Sequence, residues 1–232
     1  MKNKYLYKYK KIETAIDLTR ILDIINKKRI YLPRYNELND PYESFMNIIL
    51  TGDAGSSILH NTGERRDHIN DAFKQYGILS VTSNCRNSVM WTMYTDYYKG
   101  VCIGFENLEG AKKIKYRKEK EKPEIINMEA PDFNQQSIIN TLMIKYDTWK
   151  YEDEYRIITN QNYLDVKDNI KFIIIGQNLN KQIKDLIKDE CTRNDIEVYE
   201  TYINSTCNKI IIKKYGYEIQ LDGSEIKDDL VN

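Results

Sequence analysis

Histidine is nearly missing from this chain of 232 residues: His60 and His68 are the only two. Both sit beside a loop-like region, so no Ser-His-Asp arrangement is in prospect. Cysteine is sparse as well. Cys85, Cys102, Cys191 and Cys207 lie far apart and form no C-x-x-C pair. A structural zinc site is therefore not expected, and no metal is. The reading is small buried thiols in a reducing compartment. Net charge is absent too, 35 basic residues standing against 35 acidic ones. That removes the bulk basic field of a general nucleic-acid coat protein and leaves room for a local basic patch. No run approaches the roughly 18 apolar residues of a membrane span. The opening MKNKYLYKYKK is charged and has no apolar core, so it does not read as a signal peptide. A cytoplasmic protein without membrane contact is expected. Neither a G-x-x-x-x-G-K-S/T phosphate loop nor a G-x-G-x-x-G fingerprint occurs.

The residues that are present describe an ordered globular chain, 41% hydrophobic and 30% charged. A chain of this length buries roughly three quarters of its unfolded surface without metal or disulfide. Tyr5 to Tyr9 reads as a short strand with Tyr5, Tyr7 and Tyr9 on one face. Thr14 opens a Thr-x-x-Asp cap. Leu18, Ile21, Leu22 and Ile25 follow at helical spacing, and the helix ends in the basic turn Lys27-Lys28-Arg29. Ile30 to Leu32 reads as a strand. Asn39-Asp40-Pro41 reads as a turn that caps a helix, 51–63 as loop and 64–76 as a polar helix. Gly77 to Ser83 is the next strand, with Ile78, Ser80 and Thr82 on one side. Ser88 is expected to cap a helix carrying Met90, Met93, Tyr94 and Tyr97 on one stripe. Gly100 to Phe105 is a second, more apolar strand, with Lys112 to Tyr116 as its expected partner. Residues 117–124 read as a charged loop. Asp132 is expected to cap a helix bearing Ile139, Leu142, Met143 and Tyr146. Phe172 to Ile175 is a buried strand. Asn180 caps a helix with Ile183, Leu186, Ile187 and Cys191, and strands near 196–202, 209–213 and 216–220 close the chain.

Strands and helices alternate without a regular βαβ rhythm. The expected class is α+β, a single domain over 1–222 with a frayed tail at 223–232. Its sheet is mixed or mostly antiparallel, whole or split into two small sheets, with flanking helices.

The stretch TWKYEDEYRIIT, 148–159, carries the most chemistry. If Tyr151 to Thr159 is extended, Glu152, Glu154, Arg156 and Ile158 share one face. Two carboxylates one strand repeat apart repel each other, and a neighbouring arginine holds one of them ionised. The pattern fits a Glu-Arg ladder at a sheet rim. It fits equally a site in which one Glu faces a cleft while Trp149 and Tyr151 wall it. The hydroxyl strand Ser80-Val-Thr-Ser83, the Trp91/Tyr94 pair near Arg86 and Asn87, and the turn from Asn39 to Glu43 are the further candidates.

The segments LYKYK, NELNDPYES, ILSVTSN, VMWTMYTDYYKGVCIGF and KYDTWKYEDEYRII, in this order, resemble a bacterial family catalogued as domain of unknown function 2971. The resemblance spans the chain to about residue 200. Val81-Thr82 stands where that family carries Phe-Ser. The layout also resembles the ADP-ribosyltransferase fold: an aromatic and basic first strand, a Ser-Thr-Ser-like strand and a late Glu-x-Glu. That resemblance implies NAD as substrate. It places Lys8 on the first strand, Thr82 or Ser83 on the second, Glu154 at the catalytic position and Glu152 as activator of the acceptor. Lys8 stands where the fold uses arginine or histidine, and an ammonium makes no planar bidentate contact. Tyr7, Tyr9, Trp91 and Tyr94 would wall the nicotinamide and adenine rings, and Arg156 would keep Glu154 charged.

The leading expectation is thus an NAD-dependent ADP-ribosyltransferase-like enzyme, a toxin or phage-defence effector acting on a protein or nucleic-acid acceptor. A second reading is a nucleic-acid-binding or -processing defence protein that contacts phosphates through Arg86, Lys99, Lys145 and Arg156. A third is a non-catalytic ligand-sensing or interaction domain.

Overall fold

In a computed structural model, the structure describes residues 4–39, 48–51, 71–118, 124–127, 135–204 and 209–216. In chain order the first elements are β1 (Tyr5–Lys11), α1 (Ala15–Lys27), β2 (Arg29–Tyr31), β3 (Ile48–Thr51) and β4 (Gly77–Thr82). Then come α2 (Ser88–Tyr94), β5 (Gly100–Glu106), β6 (Lys112–Lys113), β7 (Lys115–Arg117), β8 (Glu124–Asn127) and α3 (Gln135–Leu142). β9 (Ile144–Tyr146), β10 (Glu154–Thr159), β11 (Tyr163–Asp165) and β12 (Ile170–Ile175) lead to α4 (Lys181–Arg193), β13 (Glu197–Asn204) and β14 (Lys209–Lys214). The class is α+β with mostly antiparallel pairing in its main sheet, as expected.

The chain divides into two compact units. Unit 1 comprises Met1–Ile30, Val81–Glu109 and Asp165–Asn232; unit 2 comprises Tyr31–Ser80 and Gly110–Leu164.

Unit 1 centres on β5, whose residues from Gly100 to Phe105 are all buried. β1 pairs with it antiparallel over its whole length, and β12 pairs antiparallel along its other edge. β12 then pairs with β13 parallel, and β13 with β14 antiparallel. One register position decides much of the packing. Tyr7 and Phe172 both lie opposite Gly104. A Cβ on Gly104 would come within 2.3 Å of the Phe172 ring. The missing side chain lets Phe172 lie over the strand, where it meets Tyr5 at 5.3 Å, Tyr7 at 6.2 Å and Tyr199 at 5.6 Å between ring centres. Helix α1 forms as expected. Thr14 and Asp17 make a reciprocal capping box, Ile21, Ile24 and Ile25 are buried, and Lys28 closes the helix in the left-handed region. Near its end Asn194, just past α4, donates to the Asn26 side chain and accepts from Lys28.

Unit 2 has its own core. Tyr35, Phe73, Tyr76, Ile78, Ile138 and Leu142 form it. β3 pairs with β8, and β7 with β9, both parallel, and β6 pairs antiparallel with β10.

Several local expectations are corrected. Asn87 rather than Ser88 caps α2: its side-chain oxygen accepts from the amides of Val89 and Met90. The stripe from Met90 to Tyr97 does not form the buried face. Met90 and Trp91 point inward, while Met93 and Tyr97 are each 64% exposed. The reason is backbone: α2 stops at Tyr94, and Asp96, Tyr97 and Tyr98 all take positive φ, which breaks the helical period. Lys112 to Tyr116 does not pair with β5; it splits into β6 and β7, partnered by β10 and β9. Arg117 ends β7 and is buried, and Glu124 begins β8, so neither belongs to a charged loop. α3 buries Ile138, Thr141 and Leu142, and Tyr146 belongs to β9 instead of the helix. Leu186 on α4 is 40% exposed. Strand β3 extends to Thr51, inside the segment read as loop. The Asp40-Pro41 cap, most of 51–63, the Asp132 cap, Cys207, 217–220 and the tail at 223–232 lie outside the described residues.

Candidate functional site

The acidic motif is built by a change of backbone in the middle of it. Residues Asp147–Glu152 form a 3-10 turn, not a strand, and Asp153 takes φ 44 before β10 begins at Glu154. The expected extended run from Tyr151 is therefore broken. Asp tolerates this left-handed position, and its carboxylate pairs with Lys113 at 2.6 Å. Within β10, Glu154 and Arg156 do share a face, being two residues apart.

Glu152 still joins them, through a third residue. Lys145 on β9 donates to Glu152 Oε2 at 2.7 Å and to Glu154 Oε2 at 3.2 Å. Arg156 donates through Nε to Glu154 Oε1 at 2.6 Å and through Nη2 to Oε2 at 3.1 Å. Its Nη1 donates to the Leu142 carbonyl at 2.5 Å. The Glu154 amide donates to the Tyr116 hydroxyl at 2.8 Å, and Tyr116 lies opposite Lys145 in the β7–β9 pair. Lys145 Nζ also sits 4.7 Å from the centre of the Trp149 ring. Two cations and two anions thus share one interior place, with Glu154 and Arg156 only 2% and 1% exposed.

Burial pushes the Glu154 carboxyl above its ordinary range. The Lys145 charge and a hydrogen bond with the Ser80 side chain work against that, while the Glu152 carboxylate adds to it. Ser80 is the last residue of the part of β4 that belongs to unit 2, and β4 is the strand next to β10. Tyr116 is pushed up to about 12, chiefly by burial; the Glu154 amide opposes this and the two carboxylates reinforce it.

Of the expected site residues, Glu152, Glu154 and Arg156 are brought together in unit 2. Tyr7, Lys8, Tyr9, Thr82, Ser83, Trp91 and Tyr94 belong to unit 1. There Tyr7 lies across from Thr82 in the β1–β4 pair. Tyr7, Tyr9, Thr82 and Trp91 are buried, and Lys8, Ser83 and Tyr94 half-buried. Trp91 meets Tyr9 edge-on at 5.2 Å and stacks on Tyr98 at 5.4 Å, and its indole N–H donates to the Cys85 carbonyl. These aromatics are satisfied by the protein's own interior. Among the cations expected to meet phosphates, Lys145 and Arg156 are buried against carboxylates, and Lys99 pairs with Asp96 at 3.0 Å.

Three partners of the acidic pair were not expected in that role from sequence: Ser80, Tyr116 and Lys145, the last read only as a phosphate contact. Ser80 stood in the hydroxyl strand, but Thr82 and Ser83 drew the assignment. Lys145 carries no local signal, because its spacing to Glu152 and Glu154 acquires meaning only once the 3-10 turn folds the chain back.

Comparison of the chain with models of protein families, with curated proteins and with solved structures finds no match.

Proposed function

We propose that the chain is an NAD-cleaving, ADP-ribosyltransferase-like enzyme of the family that its motifs resemble, working in the cytoplasm, with Glu154 as the carboxylate that faces the ribose. The observation that carries this reading is that β4, which holds Ser80, lies next to β10, which begins at Glu154, with the Ser80 hydroxyl acting on the Glu154 carboxyl. It sets the hydroxyl strand beside the last acid of the Glu-x-Glu segment. A carboxylate buried among like and unlike charges is also the environment in which enzymes tune acids and bases.

In the proposed reaction the nicotinamide–ribose bond breaks, and the bonding pair leaves with nicotinamide. Positive charge develops on the sugar, and ionised Glu154 stabilises it more in the transition state than in the ground state. An acceptor nucleophile then bonds to the anomeric carbon and gives up its proton to Glu152. In the closed arrangement both oxygens of Glu154 are engaged. Withdrawal of Lys145 to Glu152, its shorter partner, opens the Lys145 side of Oε2, while the Arg156 fork stays on both oxygens and keeps Glu154 charged. The test is nicotinamide release from NAD by the purified protein. Glu154→Gln is expected to lower it by roughly a hundredfold or more, with the circular dichroism spectrum kept. Undiminished turnover overturns the assignment.

A second reading, a ligand-sensing or interaction domain without catalysis, is favoured by one observation. The side chains of Glu152 and Glu154 are only 6% and 3% exposed and both are ion-paired. It expects no nicotinamide release at all, so measurable release by the native chain removes it.

A further inference from the structure

The ammonium of Lys145 occupies a place with three distinct walls. Glu152 and Glu154 accept its hydrogen bonds at 2.7 and 3.2 Å, and the face of Trp149 lies 4.7 Å away. Carboxylate acceptors set against an aromatic face are how proteins recognise amines. We propose that Trp149, Glu152 and Glu154 form a binding site for a compact organic cation bearing N–H donors, a primary alkylammonium group, which the chain keeps filled with its own Lys145.

The two cations of the network differ in how firmly they are held. Arg156 is fixed by a planar fork on Glu154 and a bond to the Leu142 carbonyl. Lys145 is a point charge on a flexible stem, shared between two acceptors, and can withdraw without breaking that fork. Once it leaves, Glu152 and Glu154 both lose the ammonium they share. Buried carboxylates that lose a cation demand a replacement. Trp149 is half-buried and lies against half-buried Tyr151 at 6.0 Å, so the aromatic wall is the side that reaches solvent. Trp149 also rides on the 3-10 turn, whose weaker hydrogen bonding makes it the wall that yields. The carboxylates need N–H donors, so a quaternary ammonium is rejected. This site stands on its own geometry, whichever fate the enzymatic reading meets.

The test titrates ethylammonium chloride into the native chain and into Lys145→Ala at matched ionic strength, following tryptophan fluorescence and the melting midpoint. Lys145→Ala is expected to bind saturably at roughly millimolar concentration. The native chain should bind roughly tenfold or more weakly, because its own lysine competes. Tetramethylammonium should give no response, and Lys145→Ala with Trp149→Leu should lose the response to ethylammonium. If Lys145→Ala does not fold unaided, refolding in ethylammonium is expected to restore it, and failure to do so overturns the proposal. So does a folded Lys145→Ala that shows no saturable response, or the same response to tetramethylammonium. Nicotinamide release bears only on the enzymatic reading, and ethylammonium binding only on this site.

Discussion

Replacing Arg156 with methionine isolates the contribution of the buried network to stability. Arg156 is 1% exposed; it donates to Glu154 at 2.6 and 3.1 Å and to the Leu142 carbonyl at 2.5 Å. Methionine fills much of the volume and restores none of these. Removing one partner of a buried pair costs about 3–5 kcal/mol, because the remaining charge is left without compensation. The orphaned Leu142 carbonyl would cost about 1–3 kcal/mol in isolation, but the two costs overlap, and Lys145 still reaches Glu154 at 3.2 Å. The expected loss is about 4 kcal/mol. At roughly 2–4 °C per kcal/mol for a chain of this size, the midpoint should fall by about 8–16 °C. Urea unfolding followed by both circular dichroism and tryptophan fluorescence measures it, and coincident curves show whether the two units unfold together. Glu154→Leu combined with Arg156→Met removes both charges and leaves Lys145 to Glu152. The double variant should recover at least about 2 kcal/mol of the loss, as a coupling energy. A cost under about 1 kcal/mol for Arg156→Met, the level of an exposed pair, would refute the reasoning.

Tyr116→Phe removes the acceptor of the buried Glu154 amide and should cost about 1–2 kcal/mol at neutral pH. Because the folded phenol is raised from 10.0 to about 12, its contribution is full below pH 10 and lost as pH climbs through about 12. The difference in unfolding free energy between native and Tyr116→Phe protein should shrink across that window, and a constant difference would contradict the assignment. Gly104→Ala forces a methyl onto the Phe172 ring and should destabilise by about 1–3 kcal/mol by thermal unfolding; a neutral effect would show that the ring can move aside. Thr14→Ala should cost about 1 kcal/mol by removing the capping box of α1, and no change in the urea midpoint would count against it. Burial raises the Glu154 carboxyl above its unfolded value, so its contribution is full below pH 4.5 and declines as pH rises through the folded value. Glu154→Gln should remove that part of the pH–stability profile, and an unchanged profile would assign the decline to other groups.

Elements whose cause is local were legible beforehand. The Thr14–Asp17 box and the aliphatic stripe behind it lie within one helical turn of each other, so α1 is written in the sequence. The apolar runs of β5 and β12 mark strands with both faces covered. α2 was legible as a helix but not as to which face it buries, because Trp91 is anchored by the Cys85 carbonyl and the positive φ values after Tyr94 end the period. The pairing of Glu154 with Arg156 was legible from their spacing along a strand. The place of Glu152 was not, since alternating aromatic and acidic residues look extended even where the backbone coils into a 3-10 turn.

By itself, then, the sequence determined the α+β class, the Thr14 and Asn180 caps, the buried strands and an acid–arginine pair at 154 and 156, because neighbours within a few positions create those features. Only the tertiary structure decided that the acids are enclosed rather than solvated, and that Ser80, Tyr116 and Lys145 complete them. Those partners come from three other strands. The free energy that joins them is an electrostatic balance in a low-dielectric interior, which no local spacing encodes.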